Sequence, residues 1–183
     1  MKNNEKKLLG ELKKGDKEVF IQCYDLYIDQ IYRFIFYKVG NAEEAEDLTS
    51  AVFLKIWNFI RSKEIDDYKT LKSLIYRIAR NTIIDQYRKK SVRDEYSISQ
   101  IDENSIIDHK QDNEALVDLK IDKELIATKL MDLKDEYREM IILRYIEEFS
   151  IAEISEILGK SGGSVRIDLH RALKTLKKIL GIN

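Results

Sequence analysis

The chain contains no proline in 183 residues, where average usage of roughly 5% would supply about nine. Glycine is scarce too, at seven, so the residues that punctuate tight turns and edge strands are nearly missing. These absences argue against a sandwich, a barrel or a collagen-like chain and leave helices as the expected structure. Cys23 is the one cysteine, which excludes an internal disulfide and a cysteine-based zinc cluster. His109 and His170 are the only histidines and stand far apart, so no metal site and no cofactor is expected. No apolar run approaches the roughly 18 residues that span a bilayer. The first residues, MKNNEKKLLGELKK, lack the apolar stretch of a signal peptide. A reduced, cytoplasmic protein with no direct membrane insertion is expected.

What is present is charge and apolar surface, at 36% and 44% of residues. The apolar share suffices for one or two modest cores, so a wholly disordered chain is excluded. Lys plus Arg number 32 against 33 Asp plus Glu, a balance that by itself discourages a nucleic-acid reading. Its distribution says more. Residues 1–93 carry 19 basic and 14 acidic side chains, residues 94–123 carry 3 and 9, and residues 124–183 carry 10 and 10. The near-zero total therefore joins a basic first part to an even last part through an acidic middle.

Helical periodicity fills the first part. Asp16 offers an N-cap and Gly40 a stop for a helix ending at Val39. Val19, Cys23, Leu26, Ile31, Phe34 and Ile35 recur at helical spacing as its buried stripe. Asn41 and Glu44 resemble a capping box for a helix to about Phe59, with Ala45, Leu48, Val52, Ile56 and Phe59 inward. A polar break at 61–67 precedes a helix from about Tyr68 to Lys90, whose inner side is Leu71, Ile75, Ile78, Ala79 and Ile83. Residues 91–122 have weak periodicity and many Asp, Asn and Ser residues, the pattern of a linker between two domains. Four further helices are expected near 123–132, 135–146, 150–158 and 162–179. The last two are separated by Gly159-Lys160-Ser161, the turn of a helix-turn-helix.

Two polar stripes can carry function. On the last helix, Val165, Leu169, Ala172, Leu173, Leu176, Ile179 and Leu180 project to one side. Gly163, Ile167, His170, Arg171, Lys174 and Lys178 project to the other. From Gly159 onward six basic residues stand against one acid, Asp168. Such a face suits phosphate contact and the major groove, and Ile167 suits a thymine methyl. On the helix 68–90, Arg77, Asn81, Asp85 and Arg88 form a second stripe, flanked by Tyr76, Arg80 and Ile84. Arg, Asn and an aromatic on one face can read base edges and stack unpaired bases. No Gly-rich phosphate loop, HExxH or GxSxG occurs, and the pairs Glu147-Glu148 and Asp66-Asp67 read as solvated charge. No enzyme is expected. On these stripes alone, a DNA-reading face and an ordinary solvated basic face both remain open.

The motifs narrow that choice. Ile31–Gly40 (IYRFIFYKVG), Ala45–Thr49 (AEDLT) and Val52–Trp57 (VFLKIW) resemble the helices of sigma region 2. Tyr76–Asn81 (YRIARN) with Asp85 resembles its promoter-opening helix. Leu143–Tyr145 (LRY), Ala152–Ile154 (AEI), Ile157–Gly159 (ILG), Ser161, Gly163–Val165 (GSV) and Leu169–Ala172 (LHRA) resemble region 4. In this order, across nearly the whole chain, they resemble the extracytoplasmic-function (ECF) sigma factors of bacterial RNA polymerase. The resemblance implies an all-α fold of two small domains, region 2 over 1–93 and region 4 over 123–183, joined by an acidic linker at 94–122.

It also implies roles. Asp47, Leu48, Phe53 and Trp57 would dock on the polymerase clamp coiled coil. Ser62, Lys63, Tyr76, Arg77, Arg80, Asn81 and Arg88 would read and open the −10 element, with one non-template base flipped into a pocket. Ser161, Ser164, Arg166, Ile167, His170, Arg171 and Lys174 would face the −35 major groove. The implied partners are core RNA polymerase (clamp coiled coil and flap), promoter DNA and an anti-sigma factor, of a kind that can be membrane-anchored. The acidic linker would thread a basic channel of the polymerase in competition with the transcript. This chain departs from the family pattern at Ser50-Ala51, where Gln-Glu is frequent, and at Leu71 and Leu74, where aromatics are common. It has Lys134 in place of a common proline and Asp168 in place of a common basic residue.

Overall fold

Short polar side chains at helix starts and glycines at helix ends divide the chain into its elements. The computed structural model describes residues 2–12, 14–61, 70–96 and 124–181. The helices are α1 (Lys2–Leu12), α2 (Lys17–Val39), α3 (Ala42–Arg61) and α4 (Leu71–Tyr96) in the first domain. The second domain has α5 (124–131), α6 (Asp135–Ile141), a π-helical turn (Ile142–Ile146), α7 (Ile151–Leu158) and α8 (Gly162–Ile179). No strand occurs among the described residues, so the all-α expectation holds.

Asp16 caps α2, its carboxylate accepting from the N–H groups of Glu18 and Val19. The helix ends at Gly40 in the left-handed region, φ 74°, where a side chain would be strained. Asn41 Oδ1 accepts from the Glu44 N–H at 2.8 Å and starts α3, while the Glu44 carboxylate pairs with Lys90 of α4. Helix α4 runs on to Tyr96, beyond the expected end at Lys90, and so takes up the start of the expected linker. The helix α1 was not delimited by periodicity; only Leu9 and Leu12 of its described side chains are buried. The expected break at 61–67 lies, after its first residue, outside the described residues, as does the acidic linker from 97 to its expected end at 122.

The α2 stripe is Val19, Cys23, Tyr27, Ile31, Phe34 and Ile35. Tyr27 takes the place expected for Leu26, which is 52% exposed. At ~100° per residue, Tyr27 lies about 40° from Cys23 on the side shared with Ile31 and Phe34, whereas Leu26 lies about 60° away on the other side. Val52 and Ile56 of α3 and Leu71, Ile75 and Ala79 of α4 complete this core, all fully buried. In the second domain Val165, Leu169 and Ala172 anchor α8, with Leu173, Leu176 and Ile179 partly covered. Leu180 is exposed instead of buried, because α8 stops at Ile179.

The two domains meet across a shared apolar contact. Phe34 of α2 packs edge-on against Tyr76 of α4, centroids 5.2 Å apart, and Tyr76 packs edge-on against Phe149 of the second domain at 4.7 Å. Lys72 sits over the Phe149 ring at 4.1 Å, within cation–π range. Arg138 of α6 donates to four backbone carbonyls, those of Leu130, Met131, Leu133 and, across the interface, Lys38. One guanidinium thus satisfies the open C-terminal carbonyls of α5 and reaches the end of α2.

Candidate nucleic-acid interface

Helix α8 is presented by its caps and anchors. Ser150 and Glu153 form a reciprocal capping box on α7, and Gly159 closes that helix at φ 65°. Ser161 Oγ then accepts from the Ser164 N–H at 3.2 Å and opens α8. With Val165, Leu169 and Ala172 held in the core, the opposite side faces solvent. Arg166, Ile167, His170, Arg171 and Lys174 are all exposed there, Ile167 at 53%. Ser164 is half-buried, and Ser161 is exposed but engaged as the cap. The face expected from the projection is therefore formed. Asp168 lies at its flank, its carboxylate 2.8 Å from Lys160 Nζ in the helix-turn-helix turn.

On α4, Arg77, Asn81 and Arg88 are exposed along one stripe. Asp85, on the same stripe, accepts from Lys55 of α3 at 2.9 Å. That hydrogen bond holds its carboxyl below the ordinary value. Arg80 sits beside the stripe, with Nε 3.0 Å from Glu139 of α6. Tyr76 departs from the sequence reading. Its side chain is fully buried, and its hydroxyl donates to Glu147 of the second domain. In this arrangement it has no surface on which a base can stack. Burial and the adjacent carboxylate both push its pKa up. Ser62 and Lys63 lie outside the described residues.

On α3, Asp47 is exposed and Trp57 half-buried against Phe20, while Leu48 and Phe53 are buried. Phe53 packs edge-on with Tyr24 at 4.7 Å. These last two side chains shape the surface from below and offer little area themselves. Leu54, a large apolar side chain of α3, is 62% exposed, and the sequence reading missed it. Its signal was the run Val52-Phe53-Leu54, too many consecutive apolar residues for one helical face. Asp47 also lines an open groove of about 420 Å³ with Glu43, Glu44, Ala51 and Lys90.

Glu147 overturns a second expectation. Its place beside Glu148 predicts solvated charge, yet it is 4% exposed. Arg33 of α2 grips it with both ends of its fork, Nε to Oε1 at 2.8 Å and Nη2 to Oε2 at 2.9 Å. Glu148 alone remains exposed, in the left-handed region at φ 58°.

Two helical domains, one of them a helix-turn-helix with an exposed basic face, have the architecture of a DNA-binding protein. The sigma-70 region 2 family model matches residues 23–93, and the sigma-70, region 4 model matches residues 123–176. The ECF RNA polymerase sigma factor SigW of Bacillus subtilis (strain 168) is 34% identical over 183 residues, 96% of each chain. The sigma factor RpoE, solved in complex with the anti-sigma factor NepR from Bartonella quintana, is similar at 26% identity and a TM-score of 0.70. That match covers 90% of this chain and 98% of that one. CnrH, solved in complex with the cytosolic domain of CnrY, shares the fold at TM-score 0.72 and 18% identity over 97% of both chains. The chain belongs to the ECF family of RNA polymerase sigma factors, which direct RNA polymerase to promoters in transcription initiation. No helix among the described residues is long and apolar enough to cross a membrane.

Proposed function

We propose that α4 of this chain reads and opens the −10 element through Arg77, Arg80, Asn81 and Arg88, with Ser62 and Lys63 contributing. In this reading α8 enters the −35 major groove through Arg166, Ile167, His170, Arg171 and Lys174, with Ser161 and Ser164 at its phosphate-facing end. The exposed face of α8, basic around an outward isoleucine, is the observation that carries it, because no core packing accounts for Ile167. Asp168 does not oppose this role, since Lys160 balances its charge.

Leu54, Trp57 and Asp47 dock on the clamp coiled coil of core RNA polymerase, supported by the buried Leu48 and Phe53. The apolar groove between α5 and α8, lined by Leu125, Ile126, Leu130, Ile146 and Leu176, suits the polymerase flap. The protein acts in the cytoplasm, performs no catalysis of its own, and is held inactive by an anti-sigma factor, as RpoE is bound by NepR in its complex. Purified core polymerase with this chain and mapped promoter DNA tests the reading. Promoter-dependent transcripts support it. Operator binding without core points to a free-standing regulator, and core binding without transcripts points to a sequestering protein.

A further inference from the structure

The interface between the domains is a match of three cations to three anions. From the first domain come Arg33, Lys38 and Arg80; from the second come Asp135, Glu139 and Glu147. Lys38 is only 2% exposed, and its ammonium is held by α6. Its Nζ lies 2.7 Å from Asp135 Oδ1 and 3.9 Å from Glu139 Oε1, and it donates to the Asp135 carbonyl at 3.1 Å. Arg33 holds Glu147 in the two-pronged geometry that guanidinium groups also make with phosphate, and the Tyr76 hydroxyl donates to the same carboxylate.

The Arg80–Glu139 contact is poorer. Nε and Oε1 stand 3.0 Å apart, yet neither buried atom has an aligned hydrogen bond. Such a pair gains Coulomb energy while its directional bonds go unmade.

Dimensions require this interface to separate. Centred by definition on positions −10 and −35, the two elements lie about 25 base pairs apart, roughly 85 Å at ~3.4 Å per pair. A compact chain of this length has a radius of gyration of ~16 Å and is ~40 Å across. Both elements therefore cannot be read while the domains are closed, and opening bares Arg33, Lys38 and Arg80 together, beside the Arg77–Asn81 stripe.

We infer that Arg33, Lys38 and Arg80 form a binding strip for the phosphodiester backbone of single-stranded DNA. Glu139 and Glu147 of the second domain occupy it as intramolecular stand-ins for phosphate. The inference rests on the reading of region 2 as the −10 module and extends it to Arg33 and Lys38. Closure of the domains then masks the strip by supplying carboxylates to the cations that the strand would use.

The test uses the full chain and a fluorescein-labelled single-stranded oligothymidylate of fifteen nucleotides, with anisotropy read across a KCl series. The double variant Glu139→Gln, Glu147→Gln keeps side-chain shape and removes both charges. It is expected to bind about tenfold more tightly than the parent at low salt. Its log–log salt slope should be steeper by roughly 1.4 to 2.1, for two to three phosphates at ~0.7 each. Adding Arg33→Gln should return affinity toward the parent value. Unchanged affinity in the double variant, or a gain that survives Arg33→Gln, overturns the proposal. If circular dichroism finds the double variant unfolded, Glu139→Gln alone serves, with a gain of about threefold expected and no gain contradicting the strip. Promoter-dependent transcription by the parent chain with core enzyme is measured alongside. Its absence with an Arg33-dependent gain refutes the sigma reading and keeps the strip; its presence without the gain does the reverse.

Discussion

Lys160 in the helix-turn-helix turn holds Asp168 of α8 at 2.8 Å, two turns into the helix that presents the DNA-facing side chains. The pair explains how an acid is accommodated beside a phosphate-binding face. It also restrains a lysine that would otherwise be free to reach the backbone. Asp168→Ala should release Lys160 to a phosphate. Holoenzyme binding to a −35 duplex should then tighten several-fold at low salt, with a log–log salt slope steeper by about 0.9. A loss of affinity confined to one base pair of the element would instead identify Asp168 as a reader of cytosine N4.

Leu54 is exposed enough that its removal should not disturb the core. Leu54→Ala is expected to weaken binding to core polymerase by about tenfold, the cost of one interface anchor at roughly 1–2 kcal/mol. The melting temperature should stay unchanged. Equal core affinity in a competition assay would remove Leu54 from the docking surface.

Ser150 starts α7 with a complete capping box. Ser150→Ala should lower stability by about 1 kcal/mol, measured as a shift in the urea midpoint. Ser150→Thr should recover most of the loss, because its hydroxyl can both accept from the Glu153 N–H and donate to the Glu153 carboxylate. A neutral Ser150→Ala would mean that the box contributes nothing to the domain.

Cys23 is fully buried, and burial raises its thiol from 9.0 to about 12. In the folded chain it stays protonated at pH 8 and inaccessible to iodoacetamide, so alkylation should follow global unfolding and accelerate with denaturant. The linkage has one sign. A group whose folded value is raised binds protons more tightly when folded, so its contribution is full below about pH 9. It is lost as pH rises toward 12, by up to ~1.4 kcal/mol per unit. Rapid alkylation of the native chain would contradict the burial.

Local chemistry was legible in the sequence wherever one side chain determines one turn. Asp16, Gly40 and the outward Ile167 all stand as their spacing and residue type predict. The errors cluster where partners come from far along the chain. Glu147 looks like solvated charge beside Glu148, and nothing within its own segment points to Arg33, 114 residues away. Tyr76 sits next to a polar stripe by helical projection, but Phe149 and Glu147 cover it from the second domain. The placement of Leu26 failed for a smaller reason: at the edge of the stripe one residue of register decides between Leu26 and Tyr27. The candidate DNA faces could be read early because exposure of polar residues on a helix is a local property. The interface that masks part of one face depends on tertiary docking, which no periodicity encodes.

The role proposed for α4 is the opening of promoter DNA. Permanganate reactivity of unpaired thymines at a mapped promoter, with core polymerase and this chain, tests it directly. The parent chain should yield reactive thymines at the −10 element. Arg77→Ala and Asn81→Ala, both exposed changes, should abolish that reactivity while core binding is retained. Reactivity preserved in both variants would contradict the assignment of α4.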